Sequence, residues 1–240
     1  MANRPIFLST KEEGRFFKEI DIEFEWFAGM ATSQKQKSIK SLHKSAESEG
    51  ISNILEVSTK SEEVLGNKLS AFNLSVKNID GREILLEVAF QGSKVFDNGG
   101  PYHDLYEKDP IEVKKDERIS KDFTITGFNF YGEDWSNEPK TAFYDWLYIN
   151  AVNEKLKNGE EHLFENISKY NAFTDIEFNP KKSLNCQARS CAVFVSLYQK
   201  KLLEIALESR DAFLDILSED SFYKVENKID SKQGELDLGL

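Results

Sequence analysis

The sequence contains few of the residues that cross-link a chain, and it has no long hydrophobic run. It has 2 cysteines, Cys186 and Cys191, whose spacing matches neither a disulfide framework nor a zinc site. No stretch approaches the roughly 20 apolar residues of a membrane-spanning helix. The N-terminal segment also lacks the apolar block of a signal peptide. These absences predict a cytoplasmic protein in a reducing compartment, with no membrane partner.

Basic residues are in deficit. The chain has 31 lysines and arginines against 42 aspartates and glutamates, which gives a formal net charge of -11. A chain of this charge repels nucleic acid as a whole, so any such contact requires a local basic patch. The three histidines are far apart in sequence, and no Walker or dinucleotide-binding glycine pattern occurs. We therefore expect neither a metal nor a cofactor.

Apolar residues, by contrast, are plentiful. They make up 40% of the chain and the aromatic ones 12%, which is enough for a substantial core and excludes global disorder. The predicted strands and helices do not follow the strand–helix–strand order that is typical of parallel sheets. The expected fold class is α+β with helices dominant.

Two patterns near the start of the chain define a strand and a helix. Apolar and acidic residues alternate over residues 20–26, which is typical of a half-buried strand with an acidic outer face. Residues 33–47 have a helical period, and Ser33 is the predicted N-cap. One stripe of this helix carries three lysines, Lys37, Lys40 and Lys44. This lysine stripe is either a solvated helix face or a contact with the DNA backbone.

The remaining elements are predicted from the same periodicities. Strands or extended segments are expected at 53–58, 69–76 and 123–131. Helices are expected at 82–96, from Pro139 to about 152, and from about 186 to 217.

The helix predicted at 82–96 combines a buried character with a polar stripe. Most of its residues are apolar, yet Glu87, Gln91 and Lys94 are spaced so that they lie within roughly 60° of one another on a helix. Burying such groups is costly unless they pair or line a wet cleft. The stripe is therefore either a satisfied Glu–Lys pair or a polar cleft. In a cleft, Glu87 would act as acid or base, or Lys94 as nucleophile.

Three parts of the sequence resemble the NADAR family, which includes the YbiA-like proteins. They are Leu-Ser-Ala-Phe-Asn at 69–73, Glu-Val-Ala-Phe-Gln-Gly-Ser-Lys at 87–94, and Asn185. Ala71 stands where the family typically has Asn. Further segments resemble the subgroup of NADAR antitoxins associated with DarT-type DNA ADP-ribosyltransferase toxins. These segments are 24–27, 33–39, 141–146, 173–180 and 185–189.

The resemblance implies a single NADAR-like domain whose catalytic part covers residues 65–217. Residues 1–64 would be an N-terminal strand–helix extension packed on it, and residues 218–240 a polar, acidic tail. The implied function is an antitoxin enzyme that removes ADP-ribose from guanine in DNA, with a DarT-type toxin as its functional partner. Two alternatives stay open: an N-glycosidase acting on a riboflavin-pathway intermediate, and a non-catalytic module that binds ADP-ribose or the toxin.

Cleavage of an N-glycosidic bond requires a proton for the leaving nitrogen and stabilisation or capture of the ribose carbon. The candidate catalytic residues are Glu87, Lys94 and Asp175, the last because the family motif has an acid there. The candidate substrate-binding residues are Ser70, Phe72, Asn73, Gln91, Trp135, Asp145, Asn185 and Arg189. Three of them have a structural alternative: Trp135 in the core, Asp145 as a cap of a neighbouring element, and Asn185 as a helix N-cap.

Overall fold

A four-stranded sheet brings the beginning of the chain next to its later part. The computed structural model describes residues 1–119, 123–158, 161–218 and 220. The strands of this sheet are β1 (Ala2–Ser9), β2 (Phe17–Phe24), β3 (Ile54–Glu56) and β9 (Ala172–Thr174), in the order β2-β1-β9-β3. β1 is antiparallel to both of its neighbours, whereas β3 and β9 are parallel. The carboxyl ends of β3 and β9 therefore meet at one edge of the sheet.

Helices cover both faces of this sheet. The side chains of each strand alternate, so that Ile6 and Ile22 face one core and Phe7 and Phe173 face the other. Helix α1 (Thr32–Ser48) packs on the first face, through β2. Helix α7 (Gln187–Gln199) packs on the second and also contacts α5 (Ala142–Lys157). The larger core lies between the sheet and these two helices.

Smaller elements surround the larger core. The remaining strands are β4 (Ser75–Lys77), β5 (Glu83–Leu85), β6 (Lys94–Phe96), β7 (Ile125–Phe130) and β8 (Glu133–Ser136). The first two form a hairpin, and the other three form a sheet in the order β6-β7-β8. The remaining helices are α2 (Val64–Lys68), α3 (Leu86–Gly92), α4 (Pro110–Lys114), α6 (Glu161–Ile167), α8 (Leu203–Ala206) and α9 (Arg210–Ser218), with short 3₁₀ turns at His103–Glu107 and Glu117–Ile119.

The fold is a single α+β domain, with 42% helix and 20% strand, and this confirms the predicted helix-dominated class. Three strands from residues 1–64 share one sheet with β9, which comes from residues 65–217. The division at residue 64 stays a prediction. Of the predicted acidic tail, residues 219 and 221–240 lie outside the described residues. None of the described helices has the length and apolarity needed to cross a membrane.

The helix predicted at 82–96 is wrong in extent. Only α3 is helical, and it is flanked by β5 and β6. β5 pairs with β4 in a local hairpin, and β6 pairs with the distant β7, so strand pairing overrides the local helical pattern. The helix ends where the Ser93 hydroxyl donates to the Ala89 carbonyl at 2.7 Å.

Several predicted boundaries also differ from the structure. The segment predicted as extended at 69–76 is mostly turn, and only its end joins β4. α1 begins at Thr32, so Ser33 is not its N-cap. α5 begins at Ala142, beyond Pro139. The helical region predicted to start near residue 186 is divided into α7, α8 and α9.

Candidate active site

Helix α3 places Glu87 and Gln91 one turn apart on a polar strip inside the core. Both side chains are buried, and Gln91 Nε2 donates to Glu87 Oε1 at 2.9 Å. The other amide atom, Gln91 Oε1, is buried without a hydrogen-bond partner among the described residues. A buried acceptor of this kind is costly and is uncommon in folded proteins. Gln91 therefore holds Glu87 in place and keeps one acceptor for another donor.

Lys94 is the first residue of β6, directly beyond the end of α3. Its side chain is only 6% exposed, and its ammonium lies 5.1 Å from the centre of the Phe90 ring. No carboxylate in the described part of the chain forms an ion pair with it, so the Glu87–Lys94 pair, one of the two alternatives for this stripe, is not formed. Burial lowers the pKa of Lys94 to about 8, although the charge of Glu87 partly raises it.

Asp175 follows β9 and orders the turn after it. Its Oδ1 accepts from the backbone N–H groups of Glu177 at 3.0 Å and Phe178 at 3.2 Å. Its Oδ2 accepts from Gln187 Nε2 at 3.0 Å, and Gln187 Oε1 in turn accepts from the Ala71 N–H at 2.7 Å. Gln187 therefore links Asp175 to the segment 69–73. Burial raises the pKa of Asp175 to about 7.

Glu56, which the sequence analysis missed, lies beside Asp175. It ends β3 and accepts from Ser58 Oγ at 2.6 Å, Thr174 Oγ1 at 2.7 Å and the Ile176 N–H at 2.9 Å. Burial and the neighbouring Asp175 raise the pKa of Glu56 to about 8. The available signal was a carboxylate inside the apolar run Ile-Leu-Glu-Val at 54–57.

Tyr144 on α5 is the point at which these groups come together. Its side chain is buried and its ring packs edge-on against Phe90, with 5.2 Å between the ring centres. Burial raises the pKa of Tyr144 well above its ordinary value, and the charges of Glu87 and Asp175 raise it further. Since both carboxylates act on one hydroxyl, α3 and the end of β9 contribute to the same buried region. Sequence reasoning did not select Tyr144 from its aromatic surroundings.

Helices α5 and α7 anchor the segment 69–73. Tyr148 of α5 donates to the Leu69 carbonyl at 2.8 Å, and Ser70 is fully buried. The amide of Asn73 is directed to Asn67, to which its Nδ2 donates at 2.9 Å. Phe72 is 37% exposed, with the Lys114 ammonium 5.0 Å from its ring centre. Of the three predicted binding residues here, Ser70 is buried, whereas Phe72 and Asn73 are exposed.

Asp145 and Arg189 form a buried ion pair between α5 and α7. Arg189 Nη2 lies 3.2 Å from Asp145 Oδ1, which also accepts from Ser190 Oγ at 2.5 Å. Arg189 Nη1 donates to the Leu184 carbonyl at 2.9 Å. These contacts match the structural interpretation of Asp145, in which it joins neighbouring elements.

Two other predicted binding residues are placed differently. Trp135 is 3% exposed and lies in an aromatic cluster with Phe143, Trp146 and Phe213, as its core interpretation requires. Asn185 is not the N-cap of α7, because Cys186 has that position. Its Oδ1 is buried and has no hydrogen-bond partner in the described part of the chain. Like Gln91, Asn185 keeps an acceptor for another donor.

The lysine stripe is exposed on α1. Lys37, Lys40 and Lys44 all face solvent, and Lys40 Nζ pairs with Glu62 at 2.9 Å. The DNA contact stays a prediction. Elsewhere in the described ranges, no group of three or more His, Cys, Asp or Glu side chains is arranged to hold a metal ion.

The buried region combines an acid, an amine and the Gln91 amide oxygen, which has no partner among the described residues, and these groups together can transfer protons and hold a polar ligand. A family model described as DarT1-associated NADAR antitoxin matches residues 2–227. No match is found among curated proteins. The matched region includes the N-terminal strands as well as Glu87, Lys94 and Asp175. The chain therefore belongs to the family of DarT1-associated NADAR antitoxins.

Proposed function

We propose that this NADAR antitoxin is a hydrolase that removes ADP-ribose from guanine in DNA and so reverses the modification made by a DarT-type toxin. The observation that carries the proposal is Lys94, a buried amine without an ion pair that lies within electrostatic reach of the buried Glu87. A fold gains no stability from such an arrangement, whereas reactive lysines are commonly desolvated in this way. The family membership supports the antitoxin role.

The reaction breaks the bond between the ribose C1′ and a guanine nitrogen. The nitrogen takes a proton, and the oxygen of one water ends on C1′, which gives free ADP-ribose and intact guanine. Glu87 is the proposed acid that delivers the proton to the nitrogen, and in its ionised form it stabilises positive charge on the ribose. Gln91 keeps the Glu87 carboxyl aimed at the site through the bond at 2.9 Å.

Lys94 supports a covalent route for the same overall reaction. With a pKa of about 8, about a tenth of the molecules have a neutral amine at pH 7. The amine attacks C1′ as the bond to guanine breaks, and ring opening gives a Schiff base. Water then hydrolyses the Schiff base, which restores the amine and releases ADP-ribose. Asp175, the third proposed catalytic group, accepts the proton of the attacking water.

The test uses purified protein and an oligonucleotide carrying ADP-ribose on guanine, with no added metal. The wild-type protein is expected to release ADP-ribose and restore the oligonucleotide. Glu87→Gln should slow this release by at least roughly 100-fold, because it removes a proton-transferring group. The control is Glu83→Gln: Glu83 is exposed on β5, where, among the described residues, its carboxylate accepts only from Ser75. This control should retain the wild-type rate.

Three outcomes would contradict the hydrolase. If the wild-type protein binds ADP-ribose or the toxin without releasing product, the chain is a binding module, and its charge of -11 suits a basic partner. If a folded Glu87→Gln variant protects cells from the toxin as well as the wild type does, protection does not come from hydrolysis. If the wild-type protein neither releases product nor binds, small riboflavin-pathway compounds become the substrates to assay.

A further inference from the structure

Two cations lie over one indole ring in the N-terminal part of the fold. The Arg4 guanidinium carbon is 5.3 Å from the centre of the Trp26 ring, and Lys35 Nζ is 5.1 Å from it. Arg4 comes from β1, Trp26 follows β2, and Lys35 is in the first turns of α1. We call these three residues the Trp26 cluster. A ring face attracts a cation and so fixes the position of both charged groups.

The Trp26 cluster lies at the sheet edge that carries Asp175. β1 and β9 are antiparallel with Phe7 opposite Phe173, so the same register continued along the chain places Arg4 opposite Ile176. The charge of Asp175 acts on Arg4. Lys35 Nζ pairs with Glu177 Oε1 at 2.9 Å. The two cations are therefore neighbours of Asp175, the proposed proton acceptor.

Both cations have donors that the protein leaves unused. The one hydrogen bond of the Arg4 side chain to a described residue runs from Nη1 to the neighbouring Asn3 carbonyl at 3.0 Å. Arg4 Nε is buried and has no partner in the described part of the protein. Arg4 also has no ion pair with any carboxylate in that part, and Lys35 uses one of its three donors on Glu177. A half-buried arginine with an unpaired donor is costly, which points to a ligand that accepts from it.

We propose that Arg4 and Lys35, held on Trp26, bind a phosphate group of the substrate beside Asp175. A guanidinium donates to two phosphate oxygens at once, and an ammonium adds a point charge. In a protein with a net charge of -11, a polyphosphate or polynucleotide substrate needs such local cations where it binds. The phosphate belongs either to the pyrophosphate of ADP-ribose or to the DNA backbone. In naming this substrate, the inference rests on the proposed function.

The test compares Arg4→Gln, Lys35→Gln and the double variant with the wild type. Matched controls are Arg15→Gln and Lys11→Gln, two exposed residues in the turn between β1 and β2, at the other end of β1. Dissociation constants are measured for ADP-ribose, for an unmodified guanine oligonucleotide, and for the ADP-ribosylated oligonucleotide in the Glu87→Gln background. A fourth variant, Trp26→Phe, keeps an aromatic ring under the cations.

The double variant is expected to lose at least about tenfold in affinity, and Trp26→Phe much less. A loss seen with free ADP-ribose assigns the site to the pyrophosphate. A loss confined to the oligonucleotides, with a shallower salt dependence, assigns it to the DNA backbone. Folded variants that bind all three probes like the wild type and the controls overturn the inference, as does a wild type that binds none of them.

The two proposals fail in different ways. A wild-type protein that binds ADP-ribose through Arg4 and Lys35 but releases none from DNA refutes the hydrolase and leaves the phosphate site standing. A wild-type protein that hydrolyses its substrate, together with a double variant of unchanged affinity and unchanged kcat/KM, refutes the phosphate site alone.

Discussion

The burial of Lys94 lowers the stability of the fold and at the same time favours the chemistry proposed for this residue. The residue is buried and lacks an ion pair in the described part of the chain, so its charged form is poorly solvated. Proteins tolerate such a group where function requires it, and replacing it commonly stabilises the fold. The pKa of about 8 keeps the amine reactive near neutral pH.

We therefore predict that Lys94→Met makes the protein more stable and inactive. Because the folded-state pKa is lowered from 10.5 to about 8, the unfolded chain binds this proton more tightly. The penalty is full below pH 8 and disappears as the pH rises to about 10.5. The variant should gain roughly 1–3 kcal/mol in free energy of unfolding at pH 7, and this gain should shrink above pH 8.

Denaturant unfolding at pH 7, 9 and 10.5 measures this effect, with Lys157→Met as the control at the exposed end of α5. Borohydride added during turnover should trap a ribose adduct on the wild type and none on the variant. A Lys94→Met protein that is less stable than the wild type at pH 7, or that keeps its activity, contradicts the assignment.

At the scale of elements, the parallel pair β3 and β9 places two carboxyl groups next to each other. Glu56 pairs with Thr174 in the strand register, so Asp175, the next residue along the chain, lies beside Glu56. Glu56 holds the backbone of Ile176, so it positions the turn that carries Asp175. Burial raises the pKa of both groups; the charge of Asp175 raises that of Glu56 further, and the charge of Glu177 raises that of Asp175. The pair therefore stays protonated at pH values at which ordinary carboxyl groups have lost their protons.

This pair should make stability fall as the pH rises from 6.5 to 8. Each folded-state pKa is raised above its ordinary value, so the folded state binds more protons than the unfolded state in this window. We expect a loss of roughly 1–2 kcal/mol across the window, and a flatter profile for Glu56→Gln. His43, whose pKa is lowered to about 4, contributes its own dependence below pH 6.5.

Thermal unfolding of the wild type, of Glu56→Gln and of the exposed control Glu49→Gln at pH 6.5, 7.2 and 8 measures this slope. Equal slopes in the three proteins would show that Glu56 is charged throughout, in which case its hydrogen bonds outweigh its burial.

The elements that could be predicted are those with a local signal. The alternation at 20–26 predicts β2, and Ile22 and Phe24 face the core below α1 as expected. The helical period at 33–47 likewise predicts α1 to within one residue at each end. β9 has three residues and no periodicity of its own, because it exists through pairing with β1 and β3. β6 is a strand for the same reason, although its sequence continues a helical pattern.

The candidate site divides in the same way. Glu87, Gln91 and Lys94 could be selected because polar groups in an apolar run are unusual, and the family resemblance added Asp175. The Trp26 cluster could not be selected, and Glu56 was missed although a carboxylate in the apolar run 54–57 is a signal of the same kind. Their meaning depends on neighbours that are distant in sequence: Glu56 lies 118 residues from Thr174, to which it hydrogen-bonds. A single sequence contains no local trace of such contacts.

At the scale of the whole molecule, charge limits how this protein can hold DNA. A net charge of -11 opposes a polyanion, so binding depends on the few places where cations gather. Two such places exist in the N-terminal part, the Trp26 cluster and the lysine stripe of α1. Lys40 is partly neutralised by Glu62 at 2.9 Å, whereas Lys37 and Lys44 have no ion pair with any described residue.

The lysine stripe therefore predicts an unequal loss of DNA affinity among its members. Lys37→Gln and Lys44→Gln should each lower the slope of log Kd against log salt by about 0.7 to 0.9 for an unmodified oligonucleotide, because each removes one phosphate contact. Lys40→Gln should change it less, since Glu62 already occupies that ammonium. The affinity for free ADP-ribose should be unchanged in all three variants.

Fluorescence anisotropy at four salt concentrations, from 25 to 200 mM, gives these slopes. Three variants with the wild-type slope would mean that α1 presents a solvated face and that the DNA path runs elsewhere on the molecule. In that case the Trp26 cluster would be the sole proposed cationic contact. An acidic protein with so few contacts to the DNA backbone would have to recognise its substrate through the ADP-ribose itself. The salt dependence thus decides whether the antitoxin binds along unmodified DNA or recognises only the modified base.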